Sequence, residues 1–369
     1  MPSIETIDPN FKPIKITAED VEFYDCLSEP FQIHGLHEPR KNGRFMRLPH
    51  FFSENEEVLP SIHHLMFDTA GGRVRFITDS PYIAIRATLP YVALMPHMPA
   101  TGIHAFDMYA APADDRTAIK YRKTFVPNGI SDENPEFEGF YEFDKSAMRE
   151  ITINFPLYGH VDRLWIGLKK GSRMEAPKPY EVEKPVVFYG SSITQGGCAS
   201  RPGTCYPAYL SRWLDSDYIN LGFSGSDRGE RVLAEYIAGL SMSAFVLAYG
   251  ANAPGVKHLE DTYYPFYKTV REENPDLPIL MMGMPSALGL KNTKQKKTQT
   301  GKRAVIMRAY LKALESGDEN VYFMDGFSLL GGLEAEEATV DSIHPTDLGF
   351  YNIAKMVYPV LENMLKPRA

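Results

Sequence analysis

At 369 residues the chain is longer than a single hydrophobic core usually serves, so two domains are expected. Its composition, 44% hydrophobic, 12% aromatic and 23% charged, is that of a soluble globular protein. A formal charge of −8 argues against a nucleic-acid partner, which needs a basic footprint, and leaves a small neutral ligand open.

The N-terminal stretch MPSIETIDPNFKPIKITAEDVEFYD has no basic segment followed by an apolar one, so no secretory signal is read there. No uninterrupted apolar run approaches the roughly 18 residues of a membrane span. Together these predict a cytoplasmic protein with no membrane partner. From residue 12 to 178 short alternating segments follow one another: VEFYDCL, GGRVRFITDSPYIAIRATLP, GIHAFDMYAAP, AIKYRKTFVP, AMREITINFPLY and VDRLWIGLKKG. Period-two alternation broken by Gly, Pro and Asp reads as antiparallel strands, and so many strands with almost no helix predict a β-sandwich of jelly-roll type over residues 1–180. His34, His37, His63, His64, His97 and His104 lie among these segments without recognisable ligand spacing, and no metal requirement or other cofactor is expected.

MEAPKPYEVEKP, residues 174–185, carries three prolines and mixed charge and reads as an interdomain linker. After it the rhythm changes. The short apolar strands VVFYG, YINLG, AFVLAYG, PILMMG and VYFMDG alternate with the helical patterns YPAYLSRWLDS, RVLAEYIAGL, YYPFYKTVREE, AVIMRAYLKALESG and FYNIAKMVYPVLENML. That predicts a doubly wound α/β domain with a parallel sheet over residues 184–369. The basic block KNTKQKKTQTGKR, residues 291–303, reads as a solvated loop leading into the next helix, or as a flap near the site. Cys198 and Cys205 flank a short loop and could pair in an oxidising compartment; without a signal, reduced thiols are expected, and neither has the close partners a metal site needs.

Open parallel sheets bind ligands outside the carboxyl ends of their strands. Gly190–Gly196 occupies that place after the first strand and contains Ser191 and Ser192. FSGSD follows the second strand, Asn252 stands after the third, and Asp341 and His344 sit three apart before the last helix. Singly, each has a structural role to play: a serine there caps a helix, an Asn stabilises a turn, an Asp caps the helix that follows. As an ordered set along one sheet edge they supply a nucleophile, its base and donors for an oxyanion.

GSSITQG, Gly225 in NLGFSGS, Asn252 in YGANAP and the pair in DSIHP resemble the four blocks of the SGNH (GDSL-type) hydrolases. TQGGCASRPGTCYPAYL and GIHAFDMYA resemble the two-domain subgroup with an N-terminal β-sandwich. The resemblance implies a flavodoxin-like five-stranded sheet, Ser192 as nucleophile, His344 as general base and Asp341 as its orienting partner. It implies an oxyanion hole from the Ser192 and Gly225 N–H groups and the Asn252 amide. The chain departs from the pattern at Ser191, where an acidic residue is usual, and at Ala251 and Ala253 around Asn252. The α/β-hydrolase elbow Gly-x-Ser-x-Gly would need a glycine where Thr194 stands.

A serine esterase acting on short acyl esters, acetyl esters of a carbohydrate foremost, is what the resemblance implies. An acyltransferase using the same acyl-enzyme and a non-catalytic carbohydrate-binding protein are the alternatives. Tyr109, Tyr141 and Trp165 are candidates to stack on sugar rings, against ordinary core or surface roles. Arg201, just past the serines, is a candidate substrate contact or half of a loop salt bridge.

Overall fold

The structure is a computed structural model and describes Ile7 and residues 16–91, 95–127, 135–285, 293–332 and 335–366. The stretch examined for a signal falls mostly outside these residues. Among the described residues no helix is long and apolar enough to cross a membrane.

The first half folds as two antiparallel sheets. Its elements are β1 (Val21–Asp25), β2 (Gln32–His34), α1 (Pro39–Asn42), α2 (Pro60–Leu65), β3 (Arg73–Thr78), β4 (Tyr82–Thr88), α3 (Ala100–Ile103) and β5 (Phe106–Pro112). Then come β6 (Lys120–Phe125), β7 (Glu136–Glu142), β8 (Arg149–Asn154), β9 (Arg163–Lys169) and β10 (Met174–Glu175). One sheet runs β1-β9-β4-β7; the other runs β10-β3-β8-β5-β6, with β2 also paired to β3. The alternation seen in the sequence sends Val74, Phe76, Ile83, Ile85, Phe106, Met108, Ile151, Ile153, Leu164 and Ile166 into the layer between them. A β-sandwich follows, as expected.

The second half carries β11 (Val182–Gly190), α4 (Ser192–Gln195), α5 (Tyr206–Leu214), β12 (Ser216–Gly222), α6 (Arg231–Ala238), β13 (Ala244–Ala248) and α7 (Val256–Glu273). It closes with β14 (Ile279–Met282), α8 (Thr293–Glu315), β15 (Val321–Met324) and α9 (Asp347–Leu365). The five strands are parallel in the order β12-β11-β13-β14-β15, the flavodoxin-like order. Strand alternation splits the apolar runs between two faces. Val186, Phe188, Val246 and Leu280 meet Leu210 of α5 and Phe350, Ile353 and Val357 of α9. Val187, Tyr189, Phe245, Leu247 and Ile279 meet Leu233 and Ile237 of α6, Leu259 and Phe266 of α7, and Ile306 of α8.

Three expectations are corrected. The expected linker is shorter than read: Met174 and Glu175 pair with Thr78 and Ile77 and β11 begins at Val182, which leaves residues 176–181 without helix or strand. Pro185 is accommodated because the β11–β12 register shifts between Val182 and Val186, where no ladder N–H is called for. The basic block is helix from Thr293 onward, with residues 291 and 292 outside the described set. Its Lys and Gln are good helix formers with no proline among them, so the apolar-faced helix downstream extends back through them. Finally, the first half is not purely strand. A segment around α2 puts Met46, Leu48, Phe52, Val58, Ile62 and Met66 against the parallel sheet rather than inside the sandwich.

Candidate active site

The tight turn after β11 begins with Gly190, level with Gly222 at the end of β12 and Ala248 at the end of β13. Ser191 caps α4: its Oγ accepts from the Ile193 N–H at 3.2 Å. The cap places Ser192 as the first residue of that short helix, 8% exposed at the sheet edge. The helix ends at Gly196, whose φ of +112° suits glycine, and the Gly196 and Gly197 N–H groups donate to the Ser192 carbonyl at 2.9 and 2.7 Å.

Below α4 the packing is backbone against backbone. A Cβ on Gly222 would lie 2.2 Å from the Gln195 nitrogen, so only glycine lets the helix sit on β12. Asn220, fully buried, donates from Nδ2 to the Thr194 carbonyl at 2.8 Å and accepts from the Gly222 N–H at 2.9 Å. Gln195 accepts from the Ser224 N–H at 2.9 Å. The helix bearing Ser192 is therefore held both by β12 itself and by the turn that follows it.

His344 reaches this edge from the loop before α9. Its Nε2 lies 2.9 Å from Ser192 Oγ and its Nδ1 2.8 Å from Asp341 Oδ2. The other oxygen of Asp341 accepts from the Ile343 and His344 N–H groups at 3.0 and 2.7 Å. That loop is fixed: the Val340 N–H donates to the His344 carbonyl at 2.8 Å, and Ser342 takes a φ of +71°. Partial burial raises the Asp341 pKa, but the His344 N–H and imidazole outweigh it and hold the carboxyl below the usual range. An ionised carboxylate only accepts, so the proton of neutral His344 sits on Nδ1. Nε2 is then free to accept from the Ser192 hydroxyl. A hydroxyl so paired can lose its proton to the ring as it attacks an electrophilic carbon.

Gly225 and Asn252 follow β12 and β13, the two neighbours of β11, so topology brings both to the edge that carries Ser192. Gly225 has a φ of +70° and open space where a Cβ would be. Asn252 is held by a residue that the sequence reading passed over. Asp227, completely buried, accepts from Asn252 Nδ2 on one oxygen and from the Gly250 N–H at 3.0 Å on the other. Burial pushes the Asp227 carboxyl up to about 7, against the pull of those two donors. On the far side, Lys302 of α8 is buried and donates to the Gly250 and Ala251 carbonyls, both at 3.0 Å. Burial lowers its pKa, opposed by Asp227. The acidic residue was visible in FSGSD and the lysine in the basic block, but their partners lie 25 and 50 or so positions away and no local pattern links them.

Arg201 lies in the joint between the halves. Its Nη1 donates to Asp107 at 2.7 Å and to the Tyr109 hydroxyl, and its guanidinium stacks on Tyr121 at 4.1 Å. Tyr109 is buried beside it, under Arg212. Tyr141 packs edge-on to Phe143 and Trp165 sits near Arg163, both in the four-stranded sheet. Cys26, Cys198 and Cys205 are buried free thiols. Burial, then Asp341, pushes Cys198 up to about 11, and burial pushes Cys205 up to about 12, so both stay protonated at neutral pH.

Comparison with known proteins gives two family matches. Residues 183–362 match the GDSL-like lipase/acylhydrolase family, and residues 21–174 match the N-terminal domain of SGNH hydrolase-type esterases. No curated protein matches the chain. Among solved structures, a GDSL-like lipase from Bacteroides ovatus is 26% identical with a TM-score of 0.82, over 95% of this chain and 100% of that one. The salicylyl-acyltransferase of a tetracycline biosynthetic pathway is 20% identical with a TM-score of 0.76, over 94% and 98%. An acetyl xylan esterase from Butyrivibrio proteoclasticus shares the fold at 14% identity and a TM-score of 0.56, over 93% and 99%.

Proposed function

The chain belongs to the SGNH (GDSL-type) hydrolases, in the two-domain subgroup with an N-terminal β-sandwich, and from that premise we propose a serine esterase that removes short acyl groups, acetyl foremost, from a carbohydrate. The 2.9 Å contact between Ser192 Oγ and His344 Nε2, backed by the 2.8 Å contact to Asp341, carries the assignment. Ser192 Oγ attacks the ester carbonyl carbon while its proton passes to His344 Nε2. The carbonyl oxygen becomes an oxyanion, met by the Ser192 and Gly225 N–H groups and the second N–H of the Asn252 amide. The C–O bond to the alcohol breaks and the alcohol leaves with the proton from His344. Water then attacks the acyl-enzyme, His344 takes its proton, and the carboxylic acid departs as Ser192 regains a hydrogen.

The acetyl and carbohydrate preferences draw support from relatives in fold, which include the acetyl xylan esterase and a carbohydrate esterase from Cellvibrio japonicus. A second reading is favoured by the salicylyl-acyltransferase, which resembles the chain over almost its whole length. The same acyl-enzyme would then be discharged by an acceptor alcohol instead of water, and product analysis with and without added alcohols separates the two.

A fluorophosphonate probe is expected to label the protein and the Ser191→Ala variant but not Ser192→Ala. Ser191→Ala should lose only its cap, about 1 kcal/mol of stability. Labelling that survives Ser192→Ala would overturn the assignment of the nucleophile. Turnover of p-nitrophenyl esters should drop steeply from acetate to octanoate; a preference for long chains would overturn the deacetylase reading while leaving the nucleophile in place.

A further inference from the structure

Outside the catalytic group, His64, Asp68 and His160 each turn one ligating atom toward a common point, and these atoms lie within 4.8 Å of one another. The backbone sets this up. His64 lies in the last turn of α2, the Phe67 N–H donates to its carbonyl at 3.1 Å, and Asp68 pairs with His160 in an antiparallel bridge. The Thr69 N–H closes the bridge onto the Gly159 carbonyl at 3.2 Å.

Asp68 is 2% exposed, and one of its oxygens, Oδ2, accepts from Gln195 Nε2 at 2.8 Å. The other, Oδ1, lies 3.3 Å from His160 Nε2. That separation is within ion-pair reach, yet the angle is wrong for a hydrogen bond: His160 Nε2 is buried without a hydrogen-bond partner among the described residues. Two ligands about 2.1 Å from a tetrahedral zinc stand about 3.4 Å apart. The pair thus has the spacing of two ligands of one ion rather than that of donor and acceptor. His64 is exposed, with its ring centroid 4.6 Å from that of His160 and its ligating nitrogen already within 4.8 Å of the other two atoms.

We propose that His64, Asp68 and His160 form a binding site for a divalent transition metal, zinc foremost, at the joint between the sandwich and the parallel sheet. Two imidazoles and one carboxylate are a borderline-soft set that suits zinc over calcium or magnesium, which prefer all-oxygen cages. Gln195 supplies the outer-shell hydrogen bond that orients the ligating carboxylate, and Gln195 lies on α4, the helix that carries Ser192. The ion therefore ties α2 and the loop at His160 to the seat of α4. No step of ester hydrolysis passes through it. A second group, His97, Cys198 and His344, is less prepared to bind, because both nitrogens of His344 already face Ser192 and Asp341.

Equilibrium dialysis of the full-length protein against zinc, after treatment with chelator, tests the site. One zinc per chain is expected, with a rise in melting temperature. His64→Ala alters an exposed side chain and should fold normally, losing the zinc and the rise, and Cys198→Ser should keep both. Cobalt in place of zinc should give visible bands without thiolate charge transfer. An absence of bound zinc, zinc retained by folded His64→Ala, or zinc lost in Cys198→Ser with a cobalt–thiolate band would each overturn the proposal.

Discussion

Asp227 shows how one side chain can join stability to the geometry of the site. It has no solvent contact, and its carboxyl is held between the Asn252 amide and the Gly250 N–H. In the unfolded chain such a group ionises near pH 4; in the fold, burial defers ionisation to about 7. Between these values the native state binds the extra proton. The stabilisation is complete below about pH 4 and is lost as pH rises through about 7, an effect on the order of 4 kcal/mol. Denaturant unfolding at about pH 4 and about pH 8 should show the wild type losing stability relative to Asp227→Asn across that range. Equal pH dependence in the two proteins would refute the burial account. The same carboxylate fixes which way Asn252 turns, a role that the alanines on either side of Asn252 could not take.

At the scale of elements, the short α4 works because glycines let backbone meet backbone. Gly222→Ala would drive a methyl group onto the Gln195 nitrogen, which is main chain and cannot rotate away. Overpacking of this kind costs about 1–3 kcal/mol, and here it should also displace Ser192 from His344. The expected outcome is a lower denaturation midpoint together with slower fluorophosphonate labelling; an unchanged labelling rate would show that α4 moves without strain. The element reading was sound where patterns are local. The five strands of the second half and most of its helices were legible from apolar runs and 3.6-residue periodicity, because burial on both faces of a parallel sheet leaves that mark. The basic block was misread because lysines on a solvated helix and lysines in a loop have the same composition, and Lys302 declares itself only by the carbonyls it meets.

Across the whole molecule, the halves that we propose to divide at 1–180 and 184–369 share much of their interior. Arg47, 1% exposed, donates to the Asn220 carbonyl at 3.2 Å and to the Leu65 carbonyl at 2.6 Å. Arg73 pairs with Asp217 and lies over Tyr218, while Arg201 pairs with Asp107. Phe52, Ile62 and Met66 cover one face of the second half's core, each contributing roughly 1.5–3 kcal/mol by burial. A fragment comprising residues 182–369 should therefore expose that face. It is expected to bind a hydrophobic dye and to label poorly at Ser192, and a fragment that unfolds cooperatively and labels like the full chain would show that the joint is dispensable.

Sequence alone determined the change from sandwich to parallel sheet and the four blocks Gly190–Gly196, Gly225, Asn252 and Asp341 with His344. These depend on period, on strand ends and on spacing of a few residues, all of them local. Tertiary structure alone decided that Arg201 belongs to the joint, that Asp227 and Lys302 grip the Asn252 turn, and that His64, Asp68 and His160 converge. Each of those rests on groups far apart in the chain becoming neighbours in a dry interior, where a charge or a donor must find its partner and nothing in the adjacent residues says which one it will be.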